Sequence, residues 1–334
     1  MRTLYRSLLK LLPRLGVQVV DLGPGEAVVS RRGARARLPV GPGADLVART
    51  GRRPYAVSQV GSDQWLVTRG SAGEPQAPDG AWQSVRLGSS GGHLVLDPRA
   101  AADERGLQLA AAEYLCAHHV AALLARYEVN CVFDVGANTG QYARRLRRHG
   151  YAGRIVSFEP TAAAFAKLEK AAEGDPDWTV YPFGLGREDE TMSIHTAWNT
   201  MNSVLPPSDY GRDRYHRFAK SQTEEIEIRR LDGVMDKAMA GIDHPRPYLK
   251  MDTQGYDLQV FAGAGERAGE FVGLQSEVAL LRLYEGSPRM QESVAEYESR
   301  GFEITGMYPV TREASTGRVV EFDCVMVRAA AVPE

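Results

Sequence analysis

The chain is poor in cysteine. It has three in 334 residues, Cys116, Cys131 and Cys324, far apart and never in a C-x-x-C pair. That excludes a disulfide framework and a cysteine-built zinc site, and it fits a reducing cytoplasm. No apolar run is long enough to span a bilayer. The opening stretch Met1–Val20 also lacks a continuous apolar core, because Arg2, Arg6, Lys10 and Arg14 interrupt Leu4, Leu8, Leu9, Leu11 and Leu12. It reads as an amphipathic helix packing on its own protein, not as a secretory signal or a membrane-docking segment. No segment repeats at a fixed period. Neither charge dominates, with 40 Lys+Arg against 42 Asp+Glu, and at 43% hydrophobic and 25% charged the chain is neither disordered nor collagen-like.

The balanced charge hides a split. Residues 1–100 carry net +7 and residues 101–334 net −9, which points to two units with a boundary near residue 100. In the first unit, short strands such as Val17–Leu22, Ala27–Ser30, Trp65–Thr68 and Leu94–Leu96 are cut by Gly23-Pro24-Gly25, Gly41-Pro42-Gly43 and the loop Gly70–Gly80. That pattern predicts a small β-rich domain. A helical stretch follows from about Ala101 to Arg126.

Beyond Val129, strands and helices alternate. Strands are expected at Cys131–Phe133, Arg154–Phe158, Trp178–Pro182, Tyr248–Met251 and Val272–Ser276, and a short one at Met192–His195. Helices are expected at Gln141–His149, Ala162–Ala172, Asp257–Ala264 and Arg289–Arg300. The alternation predicts an α/β fold with a doubly wound, mostly parallel sheet. The last two strands, Phe302–Tyr308 and Val319–Val327, have no room between them for a crossover helix, so they must form an antiparallel hairpin.

The informative stretch is Asp134-Val135-Gly136-Ala137-Asn138-Thr139-Gly140, between a strand and a helix. Glycines there permit positive φ and let backbone N–H groups approach a ligand at the helix N-terminus. Glu159 closes the next strand, where a carboxylate can accept both hydroxyl protons of a ribose. The spacing is G-x-x-x-G, not the G-x-G-x-x-G of a pyrophosphate-binding turn. Asp134 beside the loop would repel a pyrophosphate and tolerate a cation, which suits S-adenosylmethionine. A nicotinamide-dependent oxidoreductase is the competing enzymatic reading, and a non-catalytic module on the same scaffold is the non-enzymatic one.

In these blocks the sequence resembles the FkbM-type S-adenosylmethionine-dependent methyltransferases, from about Val129 to Arg328. The resemblance rests on Val132–Gly140, Ser157-Phe158-Glu159-Pro160, Arg230-Leu231-Asp232, Leu249–Gly255, Gln275-Ser276-Glu277, Leu283-Tyr284-Glu285-Gly286 and Asp323–Arg328. It implies a seven-stranded class I methyltransferase sheet, with O-methylation of a hydroxyl on a natural product or sugar as the commonest role. It also implies that Asp134, Gly136, Asn138 and Gly140 line the methionine end of the cofactor and Glu159 its ribose. Phe183-Gly184-Leu185-Gly186, with Gly184 as the contact, would sit beside the adenine, although the acidic residue common there is missing. Residues 1–100 carry no such resemblance; they are expected to recognise the acceptor or to pair two chains as a homodimer.

An alcohol is a poor nucleophile while protonated, so a general base is expected near the acceptor. Asp252, at a strand's carboxyl end, is the first choice, with helix capping as its alternative role. Glu277 at the next strand end would orient the acceptor or tie strand ends together, and His195 is the second choice of base. His216 is read as a surface or core histidine. Lys250 points away from Met251 and is expected to pair with a buried carboxylate. Asn199, Asn202 and Ser203 form a polar loop expected to touch cofactor or acceptor. No second metal ligand follows Asp252, so the reaction is expected to be metal-independent. The run Arg144, Arg145, Arg147, Arg148 is read as a solvated helix face, and the net −9 opposes a nucleic-acid partner.

Overall fold

The structure, a computed structural model, describes eight strands between residues 17 and 96, and then residues 104–333 apart from 197, 198 and 221. The chain divides into two units, Met1–Leu107 and Gln108–Glu334.

In the first unit the strands pair as four antiparallel hairpins. They are β1 (Val17–Gly23) with β2 (Glu26–Arg31), β3 (Arg35–Gly41) with β4 (Ala44–Arg49), β5 (Tyr55–Gly61) with β6 (Gln64–Arg69), and β7 (Gln83–Leu87) with β8 (Gly92–Leu96). The first three share one design. Each slips register just before its turn glycine, at Asp21/Gly23, Pro39/Gly41 and Gln59/Gly61, the signature of a bulge. An arginine follows each of those glycines by eight positions: Arg31, Arg49 and Arg69. The hairpins therefore recur in tandem, with turns 18 and then 20 positions apart (Gly23 to Gly41 to Gly61). The uneven spacing conceals the recurrence from a search for one fixed period. Of the helix expected over Met1–Val20, residues 1–16 lie outside the described residues and 17–20 belong to β1.

The second unit begins on α1 (Glu104–Arg126), whose N-terminal turn belongs to the first unit. Its main sheet has seven strands. They are β9 (Cys131–Val135), β10 (Arg154–Phe158), β11 (Trp178–Tyr181), β15 (Pro247–Met251), β16 (Gly273–Ala279), β17 (Glu303–Arg312) and β18 (Val319–Val327). Across the sheet the order is β11-β10-β9-β15-β16-β18-β17. The first five run parallel, and β18 is antiparallel to both β16 and β17. The terminal hairpin is thus present, with β18 inserted between β16 and β17, and the fold is that of a class I methyltransferase.

Helices cover both faces because the buried strands are apolar on both sides. Phe133, Val156, Phe158, Leu249, Met251 and Leu274 pack on one face against α5 (Leu231–Met239), α6 (Asp257–Ala262) and α7 (Met290–Ser299). Val132, Ile155, Tyr248 and Val325, alternating with them in sequence, pack on the other face against α1, α2 (Gln141–Arg148) and α3 (Ala162–Ala172). A small second sheet, β12 (Gly184–Gly186), β14 (Gln222–Arg230) and β13 (Glu190–Thr196), in that order, stands apart from the main one. Its core is Ile194, Ile226 and Ile228. The helix α4 (Asp209–Arg214) lies between β13 and β14 in sequence.

The arginine-rich helix is more than a solvated face. Arg147 pairs with Asp175 at 2.8 Å and donates to the carbonyls of Tyr151, Gly153 and Asp177, and Arg145 pairs with Glu113 at 2.7 Å. Among the described residues no helix is long and apolar enough to cross a membrane. All three cysteines are free and buried.

Candidate active site

Strand register builds the site in two rows. Ser157, Asp134, Lys250 and Gln275 are direct neighbours across β10, β9, β15 and β16. They lie on the face that α2 covers, and together they make a buried polar row. Trp178 Nε1 donates to Ser157 Oγ at 2.9 Å, and Ser157 Oγ donates to Asp134 Oδ2 at 3.1 Å. Lys250 Nζ lies 3.1 Å from Asp134 Oδ1 and 3.7 Å from Asp252 Oδ2. At the far end Tyr142 of α2 donates to Gln275 Oε1 at 3.1 Å. Burial lowers the pKa of Lys250, but the charges of Asp134 and Asp252 outweigh it and leave the pKa raised. The expected partner of Lys250 is therefore Asp134, which is fully buried.

Two residues further along each strand lies the rim row: Glu159, Gly136, Asp252 and Glu277, continued by Asp323, the cross-strand partner of Glu277 on β18. Four of the five positions are carboxylates, and the exception is glycine. Gly136 has φ +74°, and a Cβ there would sit 2.1 Å from the backbone oxygen of Asp252. Only glycine lets the β9–α2 loop approach β15 this closely.

A cavity of about 560 Å³ opens over this rim. Its lining comes entirely from the second unit and differs in polarity from end to end. Leu185, Ile194, Val204, Ile226, Ile228 and Pro160 supply its apolar lining, with Ile194, Ile226, Ile228 and Val204 packed together, and Asp252, Glu277, Asp323, Tyr142, Tyr308 and Arg145 supply polar lining. Gly136, Asn138, Glu159 and Gly184 line it too, Gly184 beside Ile228 and Pro160.

The loop 136–140 differs from expectation in one respect. Its amides are committed internally and do not present themselves to a ligand. Gly136 and Ala137 donate to Phe158 O, Gly140 donates to Ala137 O, Asn138 donates to Glu159 Oε2 at 2.9 Å, and Thr139 donates to the side chains of Asn138 and Gln141. Such a loop offers no amide cradle for a pyrophosphate. Glu159 Oε1 also accepts from the amide and hydroxyl of Thr161. One acceptor position therefore remains open on Oε2, enough for a single hydroxyl and fewer than the two expected. Burial raises the pKa of Glu159, and the Thr161 and Asn138 hydrogen bonds pull against it.

Not every expected site residue faces the cavity. Asp134 lies buried beneath the rim, paired with Lys250. Gly140 packs against Trp178 and Leu168, where a Cβ would come within 2.8 Å of the indole. His195 sits in β13 with its backbone paired to Ser203, outside the cavity lining, and His216 is exposed. Asn202 lines the cavity; Ser203 is buried behind it, and the side chain of Asn199 is outside the described residues. Asp252 does not cap α6, whose N-cap is Tyr256.

Sequence reasoning missed Asp257, Gln254, Tyr142 and Asp323. Asp257 is buried and accepts from Thr253 N at 2.8 Å, Ser276 Oγ at 2.7 Å and Glu277 N at 3.2 Å, binding the ends of β15 and β16 together. The available signal was the pair of acids at 252 and 257 flanking Gln254-Gly255. Burial first, and then the charge of Asp252, lift Asp323 to about 6 against a hydrogen bond from Gln275, and lift Glu321 to about 8 against the charge of Arg214. Among the described residues no group of three or more His, Cys, Asp or Glu is arranged to hold a metal ion.

These features can be set beside known proteins. The FkbM methyltransferase domain model matches residues 134–304, just over half of the chain. The chain is 28% identical over 248 residues to the AMB antimetabolite synthetase AmbE of Pseudomonas aeruginosa, covering 63% of this chain and 11% of that protein. It is 25% identical over 199 residues to methyltransferase sdnD of Sordaria araneosa, covering 52% of this chain and 74% of that one. Among solved structures, magnesium protoporphyrin IX methyltransferase of Synechocystis with bound S-adenosylmethionine aligns with a TM-score of 0.37 at 10% identity, over 66% of this chain and 82% of that chain. Register, cavity and family model agree: the chain belongs to the FkbM methyltransferase domain family, and S-adenosylmethionine is the cofactor of that domain.

Proposed function

We propose that the protein methylates a hydroxyl oxygen of a small natural product or sugar, with Asp252 as the general base. The observation that carries this reading is the rim row, a line of carboxylates interrupted only at Gly136, where the β9–α2 loop closes onto β15. S-adenosylmethionine supplies a methyl group activated by its sulfonium. Glu159 Oε2 would hold a ribose hydroxyl, Asn138 and Gly136 would border the methionine end, and the wall of Leu185, Ile226 and Ile228 beside Gly184 would take the base by apolar contact. That wall also accounts for the missing acid in Phe183–Gly186, since the small sheet supplies flat apolar surface there instead.

Asp252 is half-exposed toward the cavity, with Lys250 and Gln254 fixing its oxygens. Such a carboxylate is placed to accept a hydroxyl proton while the acceptor oxygen attacks. Glu277 and Asp323 extend the polar wall away from the cofactor end and suit a hydroxylated acceptor. They oppose a polyanionic one. The likeness to an antimetabolite synthetase supports a natural-product acceptor.

The test is methyl transfer from 13C-methyl-labelled S-adenosylmethionine to a panel of hydroxylated natural products and sugars. The expected product carries its label on oxygen, and Asp252→Asn lowers turnover on order of 10²-fold or more while S-adenosylhomocysteine affinity is retained. Label found on nitrogen or carbon, or full turnover in the variant, would overturn the proposal.

A further inference from the structure

Beside the rim and lining the cavity, Gln254 makes a set of contacts that the methyl-transfer chemistry alone does not call for. Its φ is +54°, a left-handed conformation that a residue with a Cβ adopts only when its surroundings impose it. Its Nε2 donates to Asp252 Oδ1 at 2.9 Å and to Glu277 Oε2 at 2.8 Å, so both amide protons go to rim carboxylates. Its Oε1 lies 2.8 Å from the hydroxyl of Tyr284, a side chain 1% exposed that also reaches Met201 O at 2.8 Å. Its own carbonyl accepts from Ser203 Oγ at 2.8 Å. One residue thus joins two strand-end acids to segment 200–205, which contributes Thr200, Asn202 and Val204 to the cavity.

We propose that Gln254 is a positioning residue that ties segment 200–205 to the Asp252–Glu277 carboxylate pair and holds that pair in the geometry for taking up the acceptor's proton. The inference rests on the O-methylation reading. Its physical basis is repulsion. Asp252 and Glu277 would otherwise face each other in a region that also holds Asp257, Glu321 and Asp323. Lys250 reaches Asp252 but is not paired with Glu277. Burial first, and then the charges of Glu321 and Asp252, hold the Glu277 carboxyl well above the ordinary range, so a donor aimed at its oxygen is what steadies the charged form. A glutamine needed only for loop packing would not have to spend both N–H groups on the two rim acids.

The experiment is a carboxyl 13C NMR titration of the full chain, labelled at glutamate Cδ, with Glu277 assigned through Glu277→Gln. In Gln254→Met, which keeps the length of the side chain and removes both donors, the Glu277 midpoint moves upward by about one pH unit or more. Tyr284→Phe removes one hydroxyl and frees the amide, so it shifts the midpoint the same way by less. Calorimetric affinity for S-adenosylhomocysteine stays at the wild-type value in both. A Glu277 midpoint unchanged in both variants overturns the proposal, whatever happens to thermal stability. Should Gln254→Met fail to fold, Tyr284→Phe alone decides. Failure of the wild-type chain to bind S-adenosylhomocysteine would instead count against the cofactor assignment, and the Glu277 titration would still decide whether Gln254 holds the pair.

Discussion

Lys250 stands where the buried polar row meets the carboxylate rim. It is 7% exposed, between a fully buried Asp134 and the half-exposed Asp252, and its ammonium lies 5.2 Å from the ring centre of Tyr142. Removing one partner of such a pair leaves an uncompensated charge in the interior. Lys250→Met is expected to destabilise the second unit by about 3–5 kcal/mol, read from urea unfolding. The double variant Asp134→Asn/Lys250→Met should recover most of that loss. Equal losses in single and double variants would mean that the side chain matters for its packing and not for its charge. The pairing itself was legible from strand parity, since Lys250 had to point away from Met251 into a buried face. Gln254 was not legible, because its role comes from a left-handed backbone and from four partners between two and more than fifty positions away.

At the scale of elements, the strands and helices of the main sheet were largely readable. Cys131–Val135 and Arg154–Phe158 are short, apolar and followed by amphipathic helices, and Val319–Val327 could only return as a hairpin. Of the small sheet, only the strand expected at Met192–His195 was read, and it lies within β13; β12 escaped because it has three residues. The alternation Ile226, Ile228 in β14 was a signal that could have been used. What joins the elements is backbone contact at glycine. Gly136→Ala should drive a Cβ into the Asp252 carbonyl, parting the β9–α2 loop from β15. The expected result is a lower melting temperature and no further rise on adding S-adenosylhomocysteine, measured by thermal shift. Gly150→Ala is the control: its φ is +85° with open space around it, so it costs about 1–2 kcal/mol and leaves the ligand response intact. A normal ligand response in Gly136→Ala would remove that close approach from the site.

The whole molecule joins a basic first unit of tandem hairpins to an acidic second unit that contains the cavity. Composition made the two charges visible. It could not show that strand register would collect Glu159, Asp252, Glu277 and Asp323 from four distant segments onto one rim. That collection has a consequence for pH. Glu321 at about 8, Asp323 at about 6 and the raised Glu277 all exceed the ordinary carboxyl value of roughly 4 in the unfolded chain. Each favours folding most below that unfolded value, and its contribution is lost as pH rises through the folded one. Glu313, lowered to about 2 chiefly by Arg318, acts oppositely and loses its contribution only as pH falls toward 2. Stability of the second unit should therefore decline from about pH 5 to about pH 8.5, and Glu321→Gln should flatten the upper part of that decline in calorimetric scans. Stability that rises over this interval would contradict the burial of these acids.

In the proposed function the cavity's Glu159 side holds the cofactor and its Asp252 side receives the acceptor. Calorimetric titration of S-adenosylhomocysteine into wild-type, Glu159→Ala and Asp252→Asn chains distinguishes the two sides. The predicted result is at least about tenfold weaker binding in Glu159→Ala, the loss of one charged hydrogen-bond partner, with Asp252→Asn close to wild type. Undiminished affinity in Glu159→Ala, or NAD binding in place of S-adenosylhomocysteine by the wild-type chain, would contradict it.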